Sequence, residues 1–183
     1  MSENEEKRIE KINKLLKERK LDEALELTEV SDIGDLLVVG AWLGEREVHD
    51  EAIKVFDRIT QLDPNHADAW SKKGVALGIL EKYDEAIECF DKILETDPKH
   101  TDAWSNKGTG LGFLKRHDEA IECFDKVIEI DPNHAEAWHN KGIALVNLEK
   151  RDEAVKCFDK AIEIDPEYAK LAIVGHTKQY NTR

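Results

Sequence analysis

Proline, glycine, cysteine and methionine are scarce in this chain of 183 residues, at 4, 10, 3 and 1. So little proline and glycine excludes a loop-rich secreted scaffold and a low-complexity segment, and leaves a helical chain as the expectation. No apolar run approaches the roughly 18 residues that a membrane helix needs. The opening Met1-Ser2-Glu3-Asn4-Glu5-Glu6 is acidic where a signal peptide would be basic and then apolar, so a cytoplasmic protein is expected. Positive charge is short as well, with 27 Lys and Arg against 40 Asp and Glu and a net charge of −13. Such a surface repels phosphate backbones and anionic lipids, and neither nucleic acid nor a membrane is expected as a partner.

The four prolines turn scarcity into punctuation. Pro64, Pro98, Pro132 and Pro166 all follow an aspartate and recur every 34 residues. Proline cannot continue a helix interior and biases the residue before it away from the helix, so each marks the end of one unit. Laid on itself, the chain gives three near-copies at 67–100, 101–134 and 135–168, and a drifted fourth at 33–66 that lacks the tryptophan at the fourth place. Within a unit, Trp70, Gly74, Leu77 and Leu80, then Ala86, Ile87, Phe90, Ile93 and Leu94, fall at three- and four-residue intervals. The spacing predicts two amphipathic helices per unit, each of about 12 to 14 residues. Glu81-Lys82-Tyr83 makes the turn between them, and Asp84-Glu85 places acid at the positive end of the second helix.

Trp70, Gly74, Ala86, Phe90 and Pro98, repeated as Trp104, Gly108, Ala120, Phe124 and Pro132 and again as Trp138, Gly142, Ala154, Phe158 and Pro166, resemble the tetratricopeptide repeat pattern. The resemblance implies an all-α, right-handed superhelical solenoid of stacked antiparallel helix pairs. Small Gly74 and Ala86 are expected where the two helices of a unit approach most closely, with Trp70 and Phe90 filling the space beside them. Lys73, Lys107 and Lys141 stand where the family often has leucine, and a lysine stem can cover apolar surface while its ammonium stays wet.

A helix pair cannot bury its apolar face alone, so the ends of a stack need covers. Residues 1–32 read as a divergent N-terminal pair that caps a degenerate repeat at 33–66, with Ile9, Ile12, Leu15 and Leu16 on its first helix. Residues 169–183 read as the C-terminal capping helix and tail, with Leu171, Ile173 and Val174 turned to the last pair.

Catalytic chemistry is not evident. Cys89, Cys123 and Cys157 share one place in successive units, so the repeat sets their spacing; none forms a C-x-x-C pair, and the units stand too far apart for disulfides. They are expected as small, partly buried thiols. His66, His100 and His134 close three units without companion ligands and read as surface residues. His49 and His117 sit where sister units have Tyr83 and Arg151, which argues for tolerance there. Gly108, Gly110 and Gly112 lie in a helix with no preceding strand and make no phosphate cradle. No catalytic residue, metal or cofactor is expected, and the chain is not read as an enzyme.

Binding is the expected work. The family's first helices line the concave side of the stack, and on that resemblance the groove residues are Lys72, Val75, Ile79, Asn106, Thr109, Phe113, His139, Asn140 and Ile143. Asparagine offers a donor and an acceptor to an extended peptide, and the valine, isoleucines and phenylalanine offer apolar pockets. The partner implied is a protein or peptide segment, with end-to-end self-association as the alternative. The family's clamp for chaperone tails uses Lys, Asn, Asn, Lys and Arg. The matched places here are Ser71, Val75, Asn106, Glu136 and Asn140, of which Asn106 alone agrees, so no such tail is expected to bind.

Overall fold

A computed structural model describes residues 32–170 and, ahead of them, Lys7, Glu10, Lys11, Ile12, Lys14, Leu15, Glu18, Lys20 and Glu23. Eight helices run through 33–164: α1 Ile33–Glu45, α2 His49–Leu62, α3 Ala67–Ile79, α4 Tyr83–Thr96, α5 Thr101–Phe113, α6 His117–Ile130, α7 Ala135–Asn147 and α8 Arg151–Ile164. Among the described residues there is no strand, and no helix is long and apolar enough to cross a membrane. The chain divides into two compact units, Met1–Thr96 and Asp97–Arg183. In each, consecutive helices pack as antiparallel pairs: α1 on α2 and α3 on α4 in the first, α5 on α6 and α7 on α8 in the second.

The turn inside each pair is a Schellman motif. In α3 the amide of Glu81 donates to the Gly78 carbonyl and that of Lys82 to the Leu77 carbonyl, and the same two bonds recur after α1, α5 and α7. The motif needs a left-handed residue, supplied here by Glu47, Glu81, Lys115 and Glu149 at φ of 60 to 62°. The second helix consequently starts at Tyr83, just ahead of the Asp84-Glu85 opening.

The loop between pairs explains the recurrent Asp-Pro-x-His sequence residue by residue. Asp63, Asp97, Asp131 and Asp165 each accept from the amide two residues on, at 3.0 Å, folding the chain around the proline. His66, His100 and His134 are the N-caps of α3, α5 and α7: each Nδ1 accepts from the amide three residues on, at 3.2 Å. These are half-buried structural groups, where the sequence had suggested plain surface histidines. The indole N–H of Trp70, Trp104 and Trp138 donates to the carbonyl of Pro64, Pro98 and Pro132 at 2.8, 2.9 and 3.0 Å. Tryptophan and proline, six residues apart, therefore lock one loop.

The glycine at the eighth place has a different neighbour from the one expected. A Cβ on Gly74 would lie 2.8 Å from the Phe90 ring and 3.2 Å from Cys89 Cβ, and Gly108 stands likewise against Phe124 and Cys123. The phenylalanine ring fills the space a side chain would need, and Ala86 is not the limiting contact. Gly40 meets Phe56 in the same way, so the degenerate repeat keeps this packing without its tryptophan.

The unusual lysines also find definite partners. Lys73 Nζ lies 2.6 Å from Asp57 of α2 and 5.0 Å above the Trp70 ring, with its side chain only 19% exposed. Lys141 repeats this with Asp125 of α6 and the Trp138 ring. Each joins the first helix of one pair to the second helix of the pair before it. The ammonium is thus held between a carboxylate and an indole face.

In the first unit Ile12 is fully buried among Leu36, Val39, Leu43, Phe56 and Ile59, with Leu15 packed against that cluster. Of the four apolar residues expected on the first helix of the N-terminal cap, these two are described; Ile9 and Leu16 lie outside the described residues. At the other end Tyr168, Ala169 and Lys170 are helical. Leu171, Ile173 and Val174 lie outside the described residues.

Candidate functional site

The first helix of a pair buries one face on its partner helix and leaves another uncovered. Its small residues make that open face hollow, and a groove lies there in each unit.

In the first unit the groove is a cavity of about 470 Å³ between α1, α2 and α3. Gly40, Ala41 and Gly44 leave room on the α1 side, Phe56 and Ala76 close the floor, and Val75 and Ile79 stand on the α3 wall at 44% and 56% exposure. Glu45, His49, Asp68, Ser71 and Lys72 supply the polar groups, with Lys72 Nζ 3.4 Å from Asp68.

In the second unit the groove is a cavity of about 260 Å³ between α5, α6 and α7. Phe113, 63% exposed, and Ile143, 45% exposed, form its apolar walls over Phe124 and Ala144. Its polar groups are Thr109, His117, Asn140 and Asn147, with no charged side chain. Thr109 Oγ1 donates to the Ser105 carbonyl at 3.0 Å and Asn147 Nδ2 to the Ile143 carbonyl at 3.0 Å, so both donors are engaged within their own helices. Asn140 makes no intramolecular hydrogen bond among the described residues, which leaves both of its amide functions open.

Of the nine groove residues expected from the sequence, Lys72, Val75 and Ile79 line the first cavity, and Thr109, Phe113, Asn140 and Ile143 line the second. Asn106 and His139 line neither. The His139 ring packs on Phe158 and Tyr168, with centroids 5.4 and 5.0 Å away. Burial there pushes its pKa down, against the opposing pull of Glu136, and burial likewise pushes Tyr168 up. The residues missed are His49 and His117, one in each cavity, and the α1 wall from the degenerate repeat. The available signal was that the two histidines share one place in two alternate units.

The three cysteines are buried and lie apart from both grooves. Desolvation raises the Cys89 thiol to about 11 against the lowering influence of Lys73, and it raises Cys157 too. Cys89 and Cys123 pack beside Gly74 and Gly108, with their Cβ atoms 3.2 and 3.1 Å from where a glycine Cβ would stand. No group of three or more metal-ligating side chains occurs among the described residues.

The model of the tetratricopeptide repeat matches residues 67–100, 101–134 and 135–168. Among solved structures, a MamA protein is similar at 26% identity, covering 93% of this chain and 96% of its own, with a TM-score of 0.77. YrrB, described as a TPR protein with an unusual peptide-binding site, is 30% identical over 94% of this chain and 90% of its own, with a TM-score of 0.76. A MamA from Desulfovibrio magneticus RS-1, at 22% identity over 91% of this chain and 98% of its own with a TM-score of 0.77, shares the fold. No curated protein matches the chain.

Proposed function

This chain belongs to the tetratricopeptide repeat family, whose members generally mediate contacts between proteins, and from that premise we propose that its two grooves receive peptide segments of a partner protein, without catalysis. One observation carries the reading. Of the seven exposed large hydrophobics among the described residues, Val75, Ile79, Phe113, Ile143 and Val146 all stand on first helices, and four of these five line the two cavities. Clustered exposed apolar side chains, beside the unpaired Asn140 amide in the second groove, fit a docking surface better than a solvated face. YrrB's described peptide-binding site agrees with this reading. A cytoplasmic setting is part of it.

The test replaces Phe113 and Asn140 together by alanine in the second groove, and Val75 and Ile79 together by serine in the first. Partners retained by the unaltered chain from native lysate, read by mass spectrometry, are lost with one or both variants, while helicity and melting stay unchanged. Undiminished capture by both variants refutes the grooves as the site.

Self-association is the second reading, favoured by α8. Val155 is 54% exposed and Phe158 half-buried, whereas their counterparts Ile87 and Phe90 on α4 are 8% and 3% exposed. A second copy stacked on α8 would cover that apolar face. Sedimentation that is concentration-dependent, and abolished by Val155→Lys, supports it; a chain that stays monomeric at high concentration refutes it.

A further inference from the structure

The two cavities are built from the same places of the repeat and can be compared place by place. His49 corresponds to His117, Phe56 to Phe124 and Ala76 to Ala144, so the floors agree. The walls do not. At the thirteenth place of the earlier repeat the first cavity has Glu45 and the second has Phe113; at the same place of the later repeat they have Ile79 and Asn147. Polarity is exchanged across the groove: a carboxylate on α1 with an isoleucine on α3, against a phenylalanine on α5 with an amide on α7.

The charge balance of the first cavity is negative. Lys72 is matched by Asp68 at 3.4 Å, whereas Glu45 is exposed and makes no ion pair among the described residues. Residues 1–96 hold 24 acidic and 14 basic side chains, while 97–183 hold 16 and 13, so most of the chain's negative charge lies in the half that carries this cavity. Screening limits direct attraction to about 8 Å at physiological salt, which leaves selection to Glu45 and gives the wider charge a part in steering.

We propose that the α1–α3 cavity takes a basic peptide segment, with a lysine or arginine paired to Glu45 and a neighbouring large apolar side chain seated against Val75 and Ile79. Glu45 is then the residue that sets this specificity, and the uncharged α5–α7 cavity does not share it. The inference rests on the reading that the grooves receive peptides.

The probes are three fluorescent nonapeptides with a central phenylalanine flanked on each side by two lysines, two glutamines or two glutamates, added to the full chain. Anisotropy gives affinity, and amide chemical shifts locate the peptide. The lysine peptide binds tightest, moves the Val75 and Ile79 resonances, and weakens as salt rises. Glu45→Gln weakens it by about threefold, the scale of one exposed ion pair, and leaves the glutamine peptide unchanged; Glu45→Lys weakens the lysine peptide further. If the lysine and glutamate peptides bind this cavity alike, or if the lysine peptide is indifferent to Glu45→Gln, the inference is overturned while peptide docking stands. If no peptide of any charge perturbs either cavity, docking fails and the inference falls with it.

Discussion

Gly74 and Gly78 lie four residues apart on α3, and the same substitution at the two should change stability in opposite directions. A Cβ on Gly78 would meet nothing within 4 Å, so Gly78→Ala adds helix propensity alone and stabilises by about 0.5–1 kcal/mol. A Cβ on Gly74 would lie 2.8 Å from two atoms of the Phe90 ring, roughly an ångström inside the best carbon–carbon separation. Phe90 is 3% exposed and has little room to swing away. Overpacking of this kind costs about 1–3 kcal/mol, so after the propensity gain Gly74→Ala destabilises by about 1 kcal/mol and the two variants differ by about 2. Gly142→Ala is the internal control. Its Cβ would come within 2.6 Å of Phe158, but that ring is half-exposed and can move, so the variant should fall between the other two. Urea unfolding followed by circular dichroism gives the order. Repeat arrays need not unfold in one step, so hydrogen exchange of α3 and α4 amides checks that the effect is local. A Gly74→Ala chain as stable as Gly78→Ala would refute the account of why the repeat keeps glycine there.

With its pKa raised to about 11 by burial, Cys89 is about one part in a thousand thiolate at pH 8, against roughly a quarter for an ordinary cysteine. Its modification by Ellman's reagent should be slower by more than a hundredfold in the native chain than in denaturant, and equal rates would contradict the burial. For His139 the folded pKa is lowered by burial, so on acidification the unfolded chain takes up the proton first, near the ordinary value of about 6.5. Stability contributed by this residue is therefore present above that pH, declines as pH falls through it, and levels off once the folded chain is protonated too. Urea midpoints at stepped pH for the natural chain and His139→Phe should show this slope removed by the substitution, and an unchanged slope would count against it.

Much of this architecture is legible in the sequence because it repeats. Residues that return every 34 places announce both their helix and their face, which is why the pairing, the buried cysteines and the proline boundaries follow from spacing. Interactions that join different elements are harder to read. Lys73 with Asp57, and Lys141 with Asp125, are sixteen residues apart, and their meeting depends on how one pair leans on the next. The histidine caps were hidden for another reason: imidazole is an uncommon capping group, and its Nδ1 acts here only because the Asp-Pro turn presents it to the helix amides. Groove membership needs two adjacent first helices, and helical register identifies an exposed place without saying which cavity it enters. Asn106 and His139 show the difference, since both stand at first-helix places assigned to the groove and neither lines the two cavities described.

Variation at the groove places could reflect nothing more than tolerance of change at exposed sites, and the two helices of each pair help separate that from specialisation. The second helices show what unspecialised exposure looks like: Glu88, Lys92 and Glu95 on α4, and Glu122, Lys126 and Glu129 on α6. Several of these form ion pairs one turn apart, as Lys92 does with Glu95 and Lys126 with Glu129. On the first helices, places equally open to water hold Val75, Ile79, Phe113 and Ile143. Drift alone would be expected to bring both helices toward the same solvated composition, yet five of the seven exposed large hydrophobics stand on first helices and two, Ile130 and Val155, on second helices. Leaving a large apolar side chain in water forgoes about 1.5–3 kcal/mol that its burial would provide, a gain that a bound segment can recover. The nearest neighbours of a Cβ at Gly74, Gly108 and Gly142 are phenylalanine and cysteine atoms and include none of those four side chains, so the groove places can vary while the helix pairs hold.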